Sequence, residues 1–174
     1  MIGFDYGTSN CAIGIMEDNK PKLLSLGEHG RYVASTLYAP SREVIVNWLH
    51  EHLAQAEKTI FEQQRQWQLQ RGKNTLRELE LDGYPVDVSF GQEALNNYLQ
   101  EPDEGYYIKS PKSFLGASGL VPLQIELFED IVASMMSNIK TLAEATLGRT
   151  ISQTVIGKPI NFQGLKSEDS NQQA

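Results

Sequence analysis

A short loop near the start of the chain carries residues that could bind a phosphate group. The segment Asp5-Tyr6-Gly7-Thr8-Ser9-Asn10 lies between two stretches that alternate like β-strands. Gly7 allows a tight turn, and the three backbone amides that follow it could converge on one anion. Asp5 is compatible with a bound phosphate if a hydrated Mg²⁺ ion lies between the two negative charges. An ordinary hairpin turn explains the same residues equally well, so both interpretations stay open at this point.

Other common signatures of nucleotide and catalytic sites are absent from the sequence. It contains neither G-x-x-x-x-G-K-[ST] nor G-x-G-x-x-G, and no nucleophile-elbow motif supports a serine hydrolase. His50 and His52 are two residues apart on a predicted helix and point to different sides, so we expect no histidine metal site. Cys11 is the only cysteine. It excludes an internal disulfide and a cysteine-based zinc site, and it suits a reducing compartment.

Length and charge limit the classes of protein to consider. A chain of 174 residues, 40% hydrophobic and 21% charged, predicts one folded domain with a core. The formal net charge of −7 and the isoelectric point near 5.0 argue against a general affinity for nucleic acid or an anionic membrane. We find no apolar run of the roughly 18 to 20 residues needed to span a membrane and no secretory leader. A cytoplasmic location is therefore expected.

In the first half of the chain, hydrophobic periodicity predicts strands followed by helix. Alternation around residues 2–4, 11–15 and 24–26 predicts a three-stranded antiparallel meander, with a turn at residues 17–21. Ser41 is the predicted N-cap of one long helix that continues to about Arg71, and residues 72–85 read as a loop. Along that helix one apolar stripe is formed by Val46, Leu49, Leu53, Ala56, Ile60 and Trp67. Packing of this stripe on its own domain is favoured over a partner-binding or coiled-coil helix.

The second half alternates between predicted strands and helices. A strand is predicted near residues 86–90, followed by a helix over residues 92–100 whose inward side chains are Ala94, Leu95, Tyr98 and Leu99. Pro122 is expected in the first turn of a long helix that ends at Gly148, and residues 154–157 form a further strand. These patterns predict an α/β fold in which the strands near 86–90 and 154–157 extend the meander in parallel. Residues 164–174 are too polar to pack and are expected to be disordered.

Four segments, in this order along the chain, resemble the heat-shock-70 (DnaK-type) chaperone ATPases of the actin-like superfamily. They are Gly3-Phe4-Asp5-Tyr6-Gly7-Thr8-Ser9-Asn10, Val88-Ser89-Phe90-Gly91-Gln92-Glu93-Ala94, Lys112-Ser113-Phe114-Leu115-Gly116, and the helix over 122–148 with the strand that follows it up to Phe162. The segment over 110–116 is closest to the divergent YegD-like branch. The resemblance implies a ribonuclease-H-like (actin-like ATPase) lobe with a mixed sheet over residues 1–163, carrying an inserted helical segment at about 41–85.

The resemblance also implies roles for individual residues. Asp5 would hold the water shell of Mg²⁺, and Gly7, Thr8, Ser9 and Asn10 would bind the phosphates of ATP or ADP, with Thr8 facing the terminal phosphate. Lys112 would position the attacking water and stabilise charge on the transferred phosphoryl group. Lys109 is close enough to leave the register of this lysine open. Pro159 would relay the nucleotide state to other domains, although it could equally end a strand.

The family's second phosphate loop, adenosine-binding segment and peptide-binding domain have no counterpart in this sequence. We therefore expect one half of a two-lobed ATPase, which binds nucleotide weakly and has no appreciable turnover on its own. Unfolded polypeptides and co-chaperones would act through the missing domains. Two alternatives remain: a non-catalytic interaction scaffold that binds a partner through the helix at 44–70, and a small-molecule kinase of the same superfamily. Lys112 favours hydrolysis over the kinase.

Overall fold

The computed structural model describes residues 1–100, 102, 104–114, 117 and 119–157, and this part of the chain is mixed α/β. Its strands are β1 (Ile2–Tyr6), β2 (Asn10–Glu17), β3 (Lys20–Leu23), β4 (Val33–Ala34), β5 (Thr36–Ala39), β6 (Ser89–Phe90), β7 (Tyr106–Lys109) and β8 (Thr154–Ile156). Its helices are α1 (Arg42–His52), α2 (Gln55–Gln64), α3 (Gln66–Leu81), α4 (Gly91–Gln100) and α5 (Pro122–Leu147). Two short 3-10 turns span Gly27–His29 and Pro111–Phe114.

The first sheet begins with the expected meander. Strands β1, β2 and β3 pair antiparallel in sequence order. Asp18 and Asn19, in the turn between β2 and β3, both have positive φ, as a two-residue hairpin turn requires. The third strand ends at Leu23, so Leu24 and Leu26 follow it as buried residues rather than forming it. β4 adds a short antiparallel pairing to β2.

A long helix and a parallel strand complete this sheet, as the sequence predicts. α5 begins at Pro122 and is followed by Gly148 in the left-handed conformation, which ends the helix. Its inner face buries Ile131, Met135 and Ile139. β8 then pairs parallel with β1, which gives the strand order β3-β2-β1-β8.

The strand near residues 86–90 does not join the meander, contrary to the prediction. Only Ser89–Phe90 is a strand, and it pairs antiparallel with β5 in a second sheet of order β6-β5-β7. The strand that organises this sheet is β5, whose four residues are all buried. A strand buried on both faces lacks the alternation of apolar and polar residues that reveals a half-buried one. The sequence pattern therefore missed β5, and with it the partner of residues 89–90.

The predicted single helix from Ser41 to Arg71 is three helices. Ser41 caps α1 as expected, since its Oγ accepts a hydrogen bond from the Val44 amide at 3.2 Å. The chain is extended at Leu53 and Ala54, and it leaves helical geometry again at Arg65. No Gly or Pro lies between residues 41 and 71 to signal these breaks. The breaks allow α3 to pack back against α1, and tertiary contacts of this kind can override local helix propensity.

Residues 72–81, expected as loop, are helical. Gly72 was expected to end a helix, yet it is buried inside α3, which continues to Leu81. A Cβ at this position would overlap the side-chain amide of Asn47 on α1. Gly72 therefore allows α1 and α3 to approach closely and does not act as a stop signal.

The single apolar stripe divides between core and solvent. Val46 and Leu49 are buried, whereas Ile60 and Trp67 are exposed. On α4 the predicted helix is present and Ala94 is buried, but Leu99 was wrongly expected to point inward and is 63% exposed. Periodicity predicts which residues share a helix face, but it does not show how far the neighbouring elements extend to cover that face.

Pro159 and the tail over 164–174 both lie outside the described residues. Among the helices that are described, none combines the length and the apolar character required to cross a lipid bilayer.

Candidate functional site

The loop between β1 and β2 has the tight geometry that the sequence suggests. Tyr6 and Cys11 face each other as the last strand pair before the loop. At Gly7 a Cβ would collide with the backbone carbonyl of Asn10, so the turn requires glycine. The side chains of Thr8, Ser9 and Asn10 are exposed, and so is Asp5 just before the turn. The four polar residues that the sequence singled out thus surround one solvent-accessible loop.

Lys112 reaches this loop from a distant part of the sequence. Its Nζ donates a hydrogen bond of 2.5 Å to the backbone carbonyl of Tyr6, across 106 residues of chain. The same ammonium lies 6.0 Å from the centre of the Tyr6 ring. An ammonium has three N–H donors, so donors beyond the one that contacts Tyr6 can serve a ligand or water. Lys109, the alternative lysine, is exposed and belongs to β7, where its backbone pairs with Thr36.

Lys112 lies on a short turn with an unusual backbone, called here the lysine turn (residues 110–114). Ser110 has a φ of 57°, in the left-handed region that non-glycine residues rarely adopt. The 3-10 turn over Pro111–Phe114 follows directly, and the Ser113 amide donates to the Ser110 carbonyl at 2.9 Å. Phe114 stacks on Phe128 of α5, with ring centres 4.7 Å apart. The turn is therefore closed by its own hydrogen bond and anchored to α5 through Phe114.

Ser35 connects the loop to the lysine turn, and sequence reasoning did not identify it. It is only 1% exposed and lies between β4 of the first sheet and β5 of the second. Its Oγ donates to the Gly7 carbonyl at 2.8 Å, and its backbone amide donates to the Ser9 carbonyl at 2.9 Å. Its own carbonyl accepts a hydrogen bond from the Ser110 amide at 2.8 Å. One buried serine therefore contacts both halves of the candidate site.

A weak signal for Ser35 is present in the sequence. Val33, Ser35 and Leu37 occupy alternate positions, and all three are buried. A serine at a position where alternation predicts an apolar residue indicates a buried hydroxyl that requires a hydrogen-bond partner. The partner itself could not be inferred, because Gly7 is far away in the chain.

Under the loop lie two buried groups that stay uncharged. The Tyr6 hydroxyl contacts the Met135 sulfur at 3.8 Å, and burial raises the pKa of this phenol. The Cys11 thiol lies 3.4 Å from the Ser35 Oγ, and burial likewise raises its pKa, an effect that the Ser35 hydrogen bond partly opposes. Neutral groups beneath the loop leave its electrostatics to the backbone amides, Asp5 and Lys112.

Asp5 has the chemistry needed to hold a hydrated magnesium ion. Its carboxylate is exposed at the carboxyl end of β1, on the opposite face of the strand from buried Phe4 and Tyr6. Within the described ranges, no group of three or more His, Cys, Asp or Glu side chains could enclose a metal ion. Magnesium is commonly bound through one carboxylate, several waters and substrate phosphates, so a single carboxylate fits it.

The candidate site thus contains a carboxylate, a loop rich in backbone amides and one ammonium. Amides and ammonium groups that converge on one region can stabilise an oxyanion, and a carboxylate beside them can hold its counter-cation. The chain matches no protein-family model.

Proposed function

We propose that this chain is the N-terminal, phosphate-binding lobe of a two-lobed magnesium-dependent ATPase of the heat-shock-70 type. In this proposal the lobe has the ribonuclease-H-like (actin-like) architecture, and its inserted helical segment covers residues 41–85. The sheet order supports it, because an antiparallel meander is followed, after a long helix, by a strand parallel to β1. ATP or ADP and Mg²⁺ are the proposed ligands. Coupling to protein folding, through domains outside this chain, is the proposed biological role.

The observation that carries the proposal is the hydrogen bond from Lys112 to the Tyr6 carbonyl. The resemblance assigned Lys112 and the loop over 5–10 to one phosphate site from two separate segments of sequence. An unrelated surface lysine would have no reason to meet that loop rather than solvent. The contact therefore supports the assignment of Lys112, rather than Lys109, to the site.

Each residue of the proposed site has a defined task. The loop amides bind phosphate oxygens, and the free donors of Lys112 orient an attacking water and offset negative charge on the transferred phosphoryl group. Asp5 holds magnesium through its water shell, and the bound ion neutralises charge on the phosphates. Positioning and electrostatics provide most of the catalysis in phosphoryl transfer. We therefore propose that the isolated lobe binds nucleotide without appreciable turnover.

Calorimetric titration of the 174-residue chain with magnesium and ATP tests this proposal. We expect weak binding whose affinity falls about tenfold or more in Asp5→Asn and in Lys112→Ala, because each change removes one charge-assisted contact. Lys109→Ala and Asp18→Asn are matched controls, since they remove the same charges from positions outside the loop: Lys109 lies on β7, and Asp18 lies in the turn at the far end of β2. Both controls should bind like the wild type.

Two results would contradict the proposal. Wild-type protein that shows no binding at millimolar ATP and magnesium would remove its basis. Equal losses of affinity in Lys112→Ala and Lys109→Ala would mean that only net charge matters and that no lysine-specific site exists.

The structure favours neither alternative function. The scaffold hypothesis relied on one helix over 44–70 that binds a partner, but this segment contains two breaks, and Leu49 of its apolar stripe is 2% exposed. A partner could not contact Leu49 unless α1 left the core. The small-molecule kinase stays a prediction from the superfamily alone.

A further inference from the structure

We propose that Ser35 is a positioning residue for the phosphate site, acting through the orientation of the loop peptide planes. This inference rests on the proposed function and names a residue that the resemblance did not. Its basis is the set of three hydrogen bonds that Ser35 forms with Gly7, Ser9 and Ser110.

Because the peptide bonds are trans, these contacts also determine the direction of two loop amides. The described residues include no cis peptide bond, and in a trans peptide the carbonyl and the next amide point in opposite directions. The Gly7 carbonyl points at the buried Ser35 hydroxyl, so the Thr8 amide points away from it. The Ser9 carbonyl points at the Ser35 amide, so the Asn10 amide also points away. Ser35 thus turns two carbonyls away from a bound anion, which they would repel.

The same residue sets the position of the lysine turn. The Ser35 carbonyl accepts from the Ser110 amide, and Lys112 follows two residues later. The left-handed backbone of Ser110 persists only where its surroundings hold it, and this hydrogen bond is one such restraint. Through its side chain and its backbone, Ser35 therefore fixes the position of the loop amides relative to the lysine ammonium. A merely structural buried serine would have no defined effect on anion affinity.

The chemical class that this arrangement selects is a phosphate chain with several anionic oxygens. Two amides from the loop and the free donors of Lys112 provide separate contact points along such a chain. Inorganic tripolyphosphate with magnesium is therefore the appropriate probe. It tests the loop and the lysine without any contribution from an adenosine site.

The experiment compares tripolyphosphate binding to the full chain by amide NMR and calorimetry in the wild type, Ser35→Ala, Ser35→Thr and Ser113→Ala. Ser35→Ala removes the hydroxyl and keeps the backbone contacts, so we expect a five- to thirtyfold loss of affinity and greater mobility of the Thr8 amide, whose peptide carbonyl loses its donor. Ser35→Thr retains a hydroxyl and should recover most of the affinity. Ser113→Ala removes an exposed hydroxyl beside Lys112 and should bind like the wild type.

The outcomes separate this inference from the proposed function. If the wild type does not bind tripolyphosphate, the proposed function fails and the role of Ser35 fails with it. If the wild type binds and folded Ser35→Ala binds equally well, the role of Ser35 is refuted while the phosphate site stands. If Ser35→Ala does not fold, Ser35→Thr decides: a folded threonine variant that binds supports the inference, and one that does not bind refutes it.

Discussion

Arg65 forms a buried ionic clamp that should dominate the stability of the helical segment. Its Nε lies 3.2 Å from both carboxylate oxygens of Asp130 on α5, and the two side chains are only 8% and 3% exposed. A second nitrogen donates to Glu129 at 2.8 Å. Arg65 lies at the break between α2 and α3, so this ion pair holds the junction of these two helices against α5. We expect Arg65→Met to be strongly destabilising, because it leaves the Asp130 carboxylate buried without its partner.

The size of the effect follows from burial and from the pKa of Asp130. Removing one partner of a buried ion pair costs about 3–5 kcal/mol at neutral pH. Burial, partly offset by Arg65, raises the pKa of Asp130 from 3.8 to about 6. The charge of Glu129 raises this pKa further, and the charge of Arg42 lowers it. The pKa of Asp130 is higher in the folded chain than in the unfolded chain, so its ionisation lowers the free energy of unfolding. The loss grows as the pH rises, from about 1.5 kcal/mol at pH 5 to about 3 kcal/mol at pH 7. Loss of Arg65 raises this pKa further, so the cost of Arg65→Met should be at least about 1 kcal/mol smaller at pH 5 than at pH 7.

Urea denaturation followed by circular dichroism at both pH values measures these differences. Glu129→Gln is the matched control, because its carboxylate contacts the same arginine but is 63% exposed, and its loss should cost less than about 1 kcal/mol. The double variant Arg65→Met with Asp130→Leu removes both buried charges and should recover most of the lost stability. A cost for Arg65→Met below about 1 kcal/mol, or one that is equal at the two pH values, would refute the reasoning.

Two further predictions test the core and the site. Leu49→Ala should lower the free energy of unfolding by about 2–5 kcal/mol, whereas Leu99→Ala should change it by less than about 0.5 kcal/mol, as urea titrations will measure; similar effects would contradict the assigned faces of α1 and α4. Cys11 has no exposed surface, and burial raises the pKa of its thiol. A thiol reagent should therefore label the native chain at least about a hundredfold more slowly than the urea-unfolded chain. Rapid labelling of the native chain would show that the loop opens.

Elements with a strong local signal were predicted well. The meander, α4, α5 and β8 were each identified from periodicity or from residues that begin and end helices, such as Pro122 and Gly148. Such signals act within a few residues and need no knowledge of the rest of the fold. The loop over 5–10 was found in the same way.

Features that depend on distant residues could not be read from the sequence. The break at Arg65 is tied to Asp130, and the buried position of Gly72 is tied to Asn47. β5 lacks alternation because both of its faces are covered. Ser35 was missed for a related reason, since its partners lie 28 residues earlier in the loop and 75 residues later in the lysine turn. In each case tertiary contacts, rather than local preference, determine the structure.

The pairing of β1 with β8 has a consequence for synthesis of the protein. The ribosome adds Ile2 152 residues before it adds the parallel partner Thr154. At about 5–20 residues per second, the ribosome needs roughly 8 to 30 s to produce that partner. During this interval one edge of β1 lacks its pairing strand, and until Lys112 emerges the loop lacks its ammonium as well. The nascent chain thus exposes a hydrophobic strand edge for seconds. During this interval the first sheet is the part of the described fold most prone to misassociate.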